Sequence, residues 1–127
     1  MDKKDEAQTK LEELKKSFKL GTYQHYKGSY YTVYALSVKE DTCELLVHYY
    51  SHEHKTRWTR TIDDFRSRPD DPRVSPQVLH AFRSGRFQFV RDAHPIQLLR
   101  AAGFDDMIEG FENIAGAISF FKRVQGG

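Results

Sequence analysis

Cysteine is nearly absent from this chain of 127 residues, with Cys43 standing alone. One thiol excludes an internal disulfide framework and any CxxC pair. A reducing, intracellular, cytoplasmic setting is the default expectation that follows. Long apolar runs are missing too. None approaches the roughly 20 residues needed to cross a bilayer, so no membrane association is expected. The opening residues, MDKKDEAQTKLEELKK, hold no apolar signal core, so no secretion signal is read there. Glycine-rich phosphate loops and nucleophile elbows are also absent. The carboxylate pairs Asp63-Asp64, Asp70-Asp71 and Asp105-Asp106 are neighbours in sequence. Neighbouring side chains on a strand point to opposite faces, so each pair reads as a cap or turn, not a shared-proton site. No catalytic residue and no cofactor is assigned.

What remains is the composition of a globular domain, 39% hydrophobic and 30% charged, in a length suited to one core. The net charge of +2 decides little, but its distribution is uneven. Residues 55–91 carry nine Lys and Arg against four Asp, while residues 92–127 carry five acids against three bases. A basic middle with interspersed aromatics makes nucleic acid, RNA above all, an alternative partner.

Local patterns place the elements. Ala7, Leu11, Leu14 and Phe18 form one stripe, so residues 2–18 read as a helix stopped by Gly21. Residues 22–65 read as a β-meander. Tyr31, Val33 and Ala35 alternate with Tyr30, Thr32 and Tyr34; Leu45, Val47 and Tyr49 alternate with Leu46, His48 and Tyr50. Trp58, Arg60 and Ile62 share one face of the next strand, and Thr61 can cap a short turn ending near Phe65. RSRPDDPRVSP breaks the pattern, and Ser75-Pro76 starts a helix running to Gly85. RFQFV reads as a closing strand. The tail is helical, with a stripe at Ile96 and Leu99, a stop at Gly103, and a second stripe from Phe111 to Phe121. Strands followed by helices indicate an α+β fold. Three segments result: an N-terminal helix (1–20), a β domain (21–91) with a helix inserted near 75–84, and a helical extension (92–127).

Gly21, Tyr23, His25-Tyr26-Lys27-Gly28, Tyr31, Val33, Glu44, Val47, Tyr49, Trp58, Arg60 and Phe65 stand in a recognisable order. It resembles the pattern of the family termed domain of unknown function 1653, over about residues 21–90. The resemblance implies a small, strongly bent antiparallel sheet, an SH3-like β-barrel, and no established activity. Thr61 stands where the family pattern has proline, and residues 66–85 form a longer connection than its pattern shows. A shorter segment, HPIQLLRAAGFDDM, resembles helices of PUB and ubiquitin-associated domains.

Two surfaces are candidate sites. Tyr23, His25 and Lys27 share one strand face, as do Trp58 and Arg60. If the faces meet, they form a groove with an aromatic wall and a guanidinium, suited to a carboxylate, phosphate or nucleobase. The competing structural reading puts Trp58 in the core and pairs Arg60 with an acid such as Glu44. Tyr30, Tyr34, His48 and Tyr50 form a second, outer aromatic face, which binds a partner or is covered by a terminal helix. His48, His52 and His54 lie close in sequence, but no cysteine cluster accompanies them, and they read as solvated rather than as metal ligands. The leading expectation is a non-catalytic module for a protein or peptide partner. Nucleic-acid binding is the alternative, and a small-ligand pocket or enzyme around His25 and Arg60 comes third.

Overall fold

The apolar stripe at Ala7, Leu11 and Leu14 is buried on one side of helix α1 (Lys3–Ser17), as its spacing predicts. The Asp2 side chain caps the helix by accepting from the Asp5 N–H, with the first-turn acids and last-turn lysines matching the helix dipole. Phe18 closes it. The computed structural model describes residues 2–104 and Arg123. The stripe expected from Phe111 to Phe121 lies outside the described residues.

Gly21 does not stop the helix. It opens strand β1 (Gly21–His25), where its φ of 145° and the close backbone of residues 91–93 both require glycine. Strands β2 (Tyr30–Val38), β3 (Leu45–Ser51) and β4 (Thr56–Thr61) complete the meander. Helix α2 (Ile62–Arg66) follows directly, capped by Thr61 as expected. Helix α3 (Pro76–Ala81) is capped by Ser75 with proline in its first turn. Strand β5 (Phe87–Arg91) returns to pair with β1, giving one antiparallel sheet in the order β4-β3-β2-β1-β5.

The alternation in β2 breaks at a bulge between Val33 and Ala35. Val33 pairs with Tyr49 on the core face, but Ala35 pairs with His48, and Leu36 takes the inward place opposite Val47. The expected inward Ala35 therefore faces out, because one extra residue reverses the pleat beyond it. The core is Tyr23, Val33, Val47, Tyr49, Phe65 and Phe87, flanked by Phe18, Leu20, Tyr31, Leu36 and Ile62.

The fold is α+β, but the sheet is not closed, which corrects the expected barrel. The edge strands β4 and β5 exchange no ladder hydrogen bonds. Side chains bridge them instead. Phe65 of α2 stacks on Phe87 of β5, with centroids 4.3 Å apart and planes within 4°, and the Arg60 guanidinium of β4 lies 5.8 Å from the same Phe87 ring. Large rings between the edges hold apart backbones that a barrel would bring to ladder distance.

Helix α4 (Pro95–Ala102) carries a capping box made by His94 and Gln97, and ends at Gly103 in the left-handed conformation. Phe104 N–H then donates to Leu99 O at 2.9 Å, completing a glycine-type cap. Leu99 and Ala101 are fully buried. No helix among the described residues is long and apolar enough to cross a membrane.

Candidate functional site

The opening between the unpaired edges is the groove. Its walls come from the β1–β2 turn (His25, Lys27, Ser29), the inner sheet face (Tyr31, Tyr49), β4 with its preceding turn (His54, Trp58, Arg60), and Phe87 of β5. Its volume is about 370 Å³, and no carboxylate is among the residues lining it. Four of the five residues expected there, His25, Lys27, Trp58 and Arg60, are brought together.

Trp58 is 50% exposed and stands in the groove, not in the core. Its strand is an edge, so no neighbouring strand covers that flank. Arg60 Nε donates to the Tyr49 hydroxyl at 2.7 Å and Nη1 to Asp64 Oδ2 at 2.6 Å. Its acid is thus Asp64, one helical turn onward in α2, and not Glu44. The fork is fixed by these two bonds while its ring-facing side borders the groove.

His25 is held by geometry that favours the neutral ring. Its Nδ1 accepts from the Lys27 backbone N–H at 3.2 Å, which leaves Nε2 to carry the proton. The ring packs edge-on against Phe87 at 4.8 Å. Burial, then the charges of Arg60, Lys27 and Arg86, push its pKa down to about 4. At neutral pH it is an uncharged donor beside two cations.

Tyr23 is the exception. It lies two residues from His25 on the same strand but is 7% exposed in the core, packed by Phe18, Phe65 and Phe89. Its hydroxyl donates to Lys19 O at 2.6 Å, and burial pushes its pKa up to about 12. It lines a different depression, which shares Phe87 with the groove.

The outer face is divided. Arg57 points there and reaches α4, its Nε donating to Ala101 O at 2.7 Å and its Nη2 to Arg100 O at 3.0 Å. Helix α4, and not α1, therefore covers this side; α1 sits against the inner face near Leu45 and Ile62. Tyr34 and His48 rings lie 6.1 Å apart, and the Arg57 guanidinium sits 5.2 Å from the Tyr50 ring. Tyr30 stays 50% exposed at the strand end. The four residues do not form one free patch, because α4 and Arg57 occupy its middle.

The three histidines do not converge. His48 contacts the hydroxyls of Ser37 (2.6 Å) and Thr59 (3.2 Å), His52 contacts Thr32 (2.6 Å), and His54 borders the groove. The arginine-rich stretch is also engaged inward. Five of its nine cations donate hydrogen bonds within the chain: Arg57, Arg60, Arg73, Arg83 and Arg86. Arg73 and its backbone hold the Asp71 carboxyl down to about 2. The Tyr26 hydroxyl reaches that same Asp71 at 3.4 Å, so the inserted loop props the HYKG turn that forms one groove wall. Sequence reasoning missed this prop, since the residues stand 45 apart.

The fold and groove define a small α+β domain with an open five-stranded sheet and a cationic, aromatic cleft between its edges. The family model described as protein of unknown function (DUF1653) matches residues 21–89, and the chain belongs to that family. A crystal structure of a family protein from Bordetella bronchiseptica is similar at 23% identity, covering 61% of this chain and 94% of that one, with a TM-score of 0.48. No curated protein matches the chain. The segment from His94 lies beyond the family match, and the comparisons do not support the resemblance to PUB and ubiquitin-associated helices expected there.

Proposed function

We propose that the chain is a non-catalytic, intracellular binding module whose groove takes an acidic peptide segment of a protein partner. The observation that supports this most is the convergence of Lys27, Arg60, neutral His25 and half-exposed Trp58 in a cleft lined by no carboxylate. An extended acidic segment would set a carboxylate against Lys27 and the His25 Nε2–H, beside Arg60 already paired to Asp64, and rest apolar atoms on the indole. Buried or half-buried Trp and Arg are the side chains that most often anchor such contacts. The groove is favoured over α4 because α4 spends its apolar face, Leu99 and Ala101, on the sheet. It is favoured over RNA because four cations of the basic stretch outside the groove, Arg57, Arg73, Arg83 and Arg86, already bond within the chain.

The chain's one tryptophan makes the test direct, since Trp58 fluorescence reports the groove. Peptides selected from a displayed library should be rich in Asp and Glu and should change that emission on titration. Lys27→Glu should weaken them about tenfold, or about 1.4 kcal/mol. Selection of neutral or basic peptides, or emission that ignores acidic ones, removes the reading. Tighter binding to single-stranded RNA, falling steeply with salt, favours the nucleic-acid alternative instead.

A further inference from the structure

A second depression lies across Phe87 from the groove, between the end of α1, α2 and β5, with a volume of about 420 Å³. Nothing in the sequence patterns pointed to it, because its residues come from four separate segments. Its walls are rings. Phe18 and Tyr23 stack at 5.7 Å with planes 13° apart, and Phe89, 36% exposed, closes edge-on against Tyr23 at 5.4 Å. Two cations are held over these rings: Lys19 Nζ lies 5.0 Å from the Phe89 centroid, and Arg66 Cζ lies 5.5 Å from that of Phe18. Neither forms an ion pair among the described residues. No carboxylate is among the lining residues, and Ser84 adds a hydroxyl.

We infer that this depression is a binding site for a small anion carried on a flat ring, an aryl phosphate or aryl carboxylate. The cations repel a positively charged ligand and attract a negative one. A bare inorganic anion would leave the ring walls unused, and a neutral ring would leave both cations unmatched. A ligand with both parts stacks on the exposed Phe89 while its anion meets Lys19, Arg66 and the Ser84 hydroxyl. The volume falls within the range of small-molecule sites. The inference stands apart from the peptide reading, since the two clefts use different cations.

The test is calorimetric titration of the full chain with phenyl phosphate, adenosine monophosphate and 4-hydroxybenzoate, beside inorganic phosphate and adenosine. At least one of the three ring-bearing anions should bind with submillimolar affinity, and which one binds separates phosphate from carboxylate. Inorganic phosphate and adenosine should each bind at least tenfold more weakly. The double variant Lys19→Glu, Arg66→Glu should cut the affinity at least tenfold with its circular dichroism unchanged, and Arg66→Gln should cut it less. Lys27→Glu should leave it alone, which separates this site from the groove. Absence of binding at millimolar concentration, equal binding of inorganic phosphate, or affinity that follows Lys27 and not Lys19 and Arg66 would each overturn the assignment.

Discussion

Replacing Arg57 by alanine should loosen helix α4 from the sheet without unfolding the rest. The last carbonyls of a helix have no partner within it, and Arg57 supplies two donors there, at 2.7 and 3.0 Å. Its charge also suits the negative end of the helix dipole, and its guanidinium lies 5.2 Å from the Tyr50 ring. Charged hydrogen bonds of this type contribute about 1.5–3 kcal/mol each when shielded. Arg57 is an exposed residue, so water competes and the low end applies. About 1.5–2 kcal/mol for the whole contact is the resulting magnitude. That raises the opening equilibrium of α4 by roughly 10- to 30-fold. Native-state hydrogen exchange reads it: amides from Leu99 to Phe104 should lose protection by that factor, while Val33 and Val47 in the sheet keep theirs. Arg57→Lys should recover only part of the loss, because it keeps the charge but not the planar fork. Unchanged exchange in α4, or an equal loss across the sheet, would refute the reasoning.

Two further outcomes follow from the same structure. His25 is neutral in the fold until about pH 4, whereas the unfolded chain protonates it near 6.5. The unfolded state therefore binds more protons between these values, so His25 costs no stability above pH 6.5 and progressively more as pH falls toward 4, levelling below. NMR titration of its ring protons should show no transition near 6.5, and a midpoint there would contradict the packing described. Gly21→Ala would place a Cβ 2.7 Å from the Arg91 carbonyl oxygen at a φ of 145°. Backbone cannot yield as a side chain can, so a loss of about 2–3 kcal/mol is expected in urea unfolding. Gly103→Ala should cost less, about 1 kcal/mol, since its Cβ would meet only the end of the Arg57 side chain at 3.4 Å.

Much of the fold was legible because it is written in short-range patterns. The stripe at Ala7, Leu11 and Leu14 needs only the helical period, and the caps at Thr61 and Ser75 need only a hydroxyl before an N–H. The inward set of β3 followed from strict alternation. The groove was partly legible for the same reason: His25 with Lys27, and Trp58 with Arg60, each share a strand face. That the two faces meet depends on how far the sheet bends and on Phe65 and Phe87 standing between its edges.

The amino-acid order by itself determined the α+β class, the approximate positions of the helices and strands among the described residues, the family pattern over about residues 21–90, and which residues could serve a groove. Tertiary structure alone decided the rest. A bulge at Tyr34 reversed the pleat, moving Ala35 outward and Leu36 inward. The return of β5 to β1 gave Gly21 a backbone neighbour and turned an expected helix stop into a close approach. The edge position of β4 left Trp58 half exposed, and the docking of α4 through Arg57 divided the outer aromatic face. Each of these depends on contacts between residues far apart in the chain, whose register is set by the packing of the whole sheet and not by any local period.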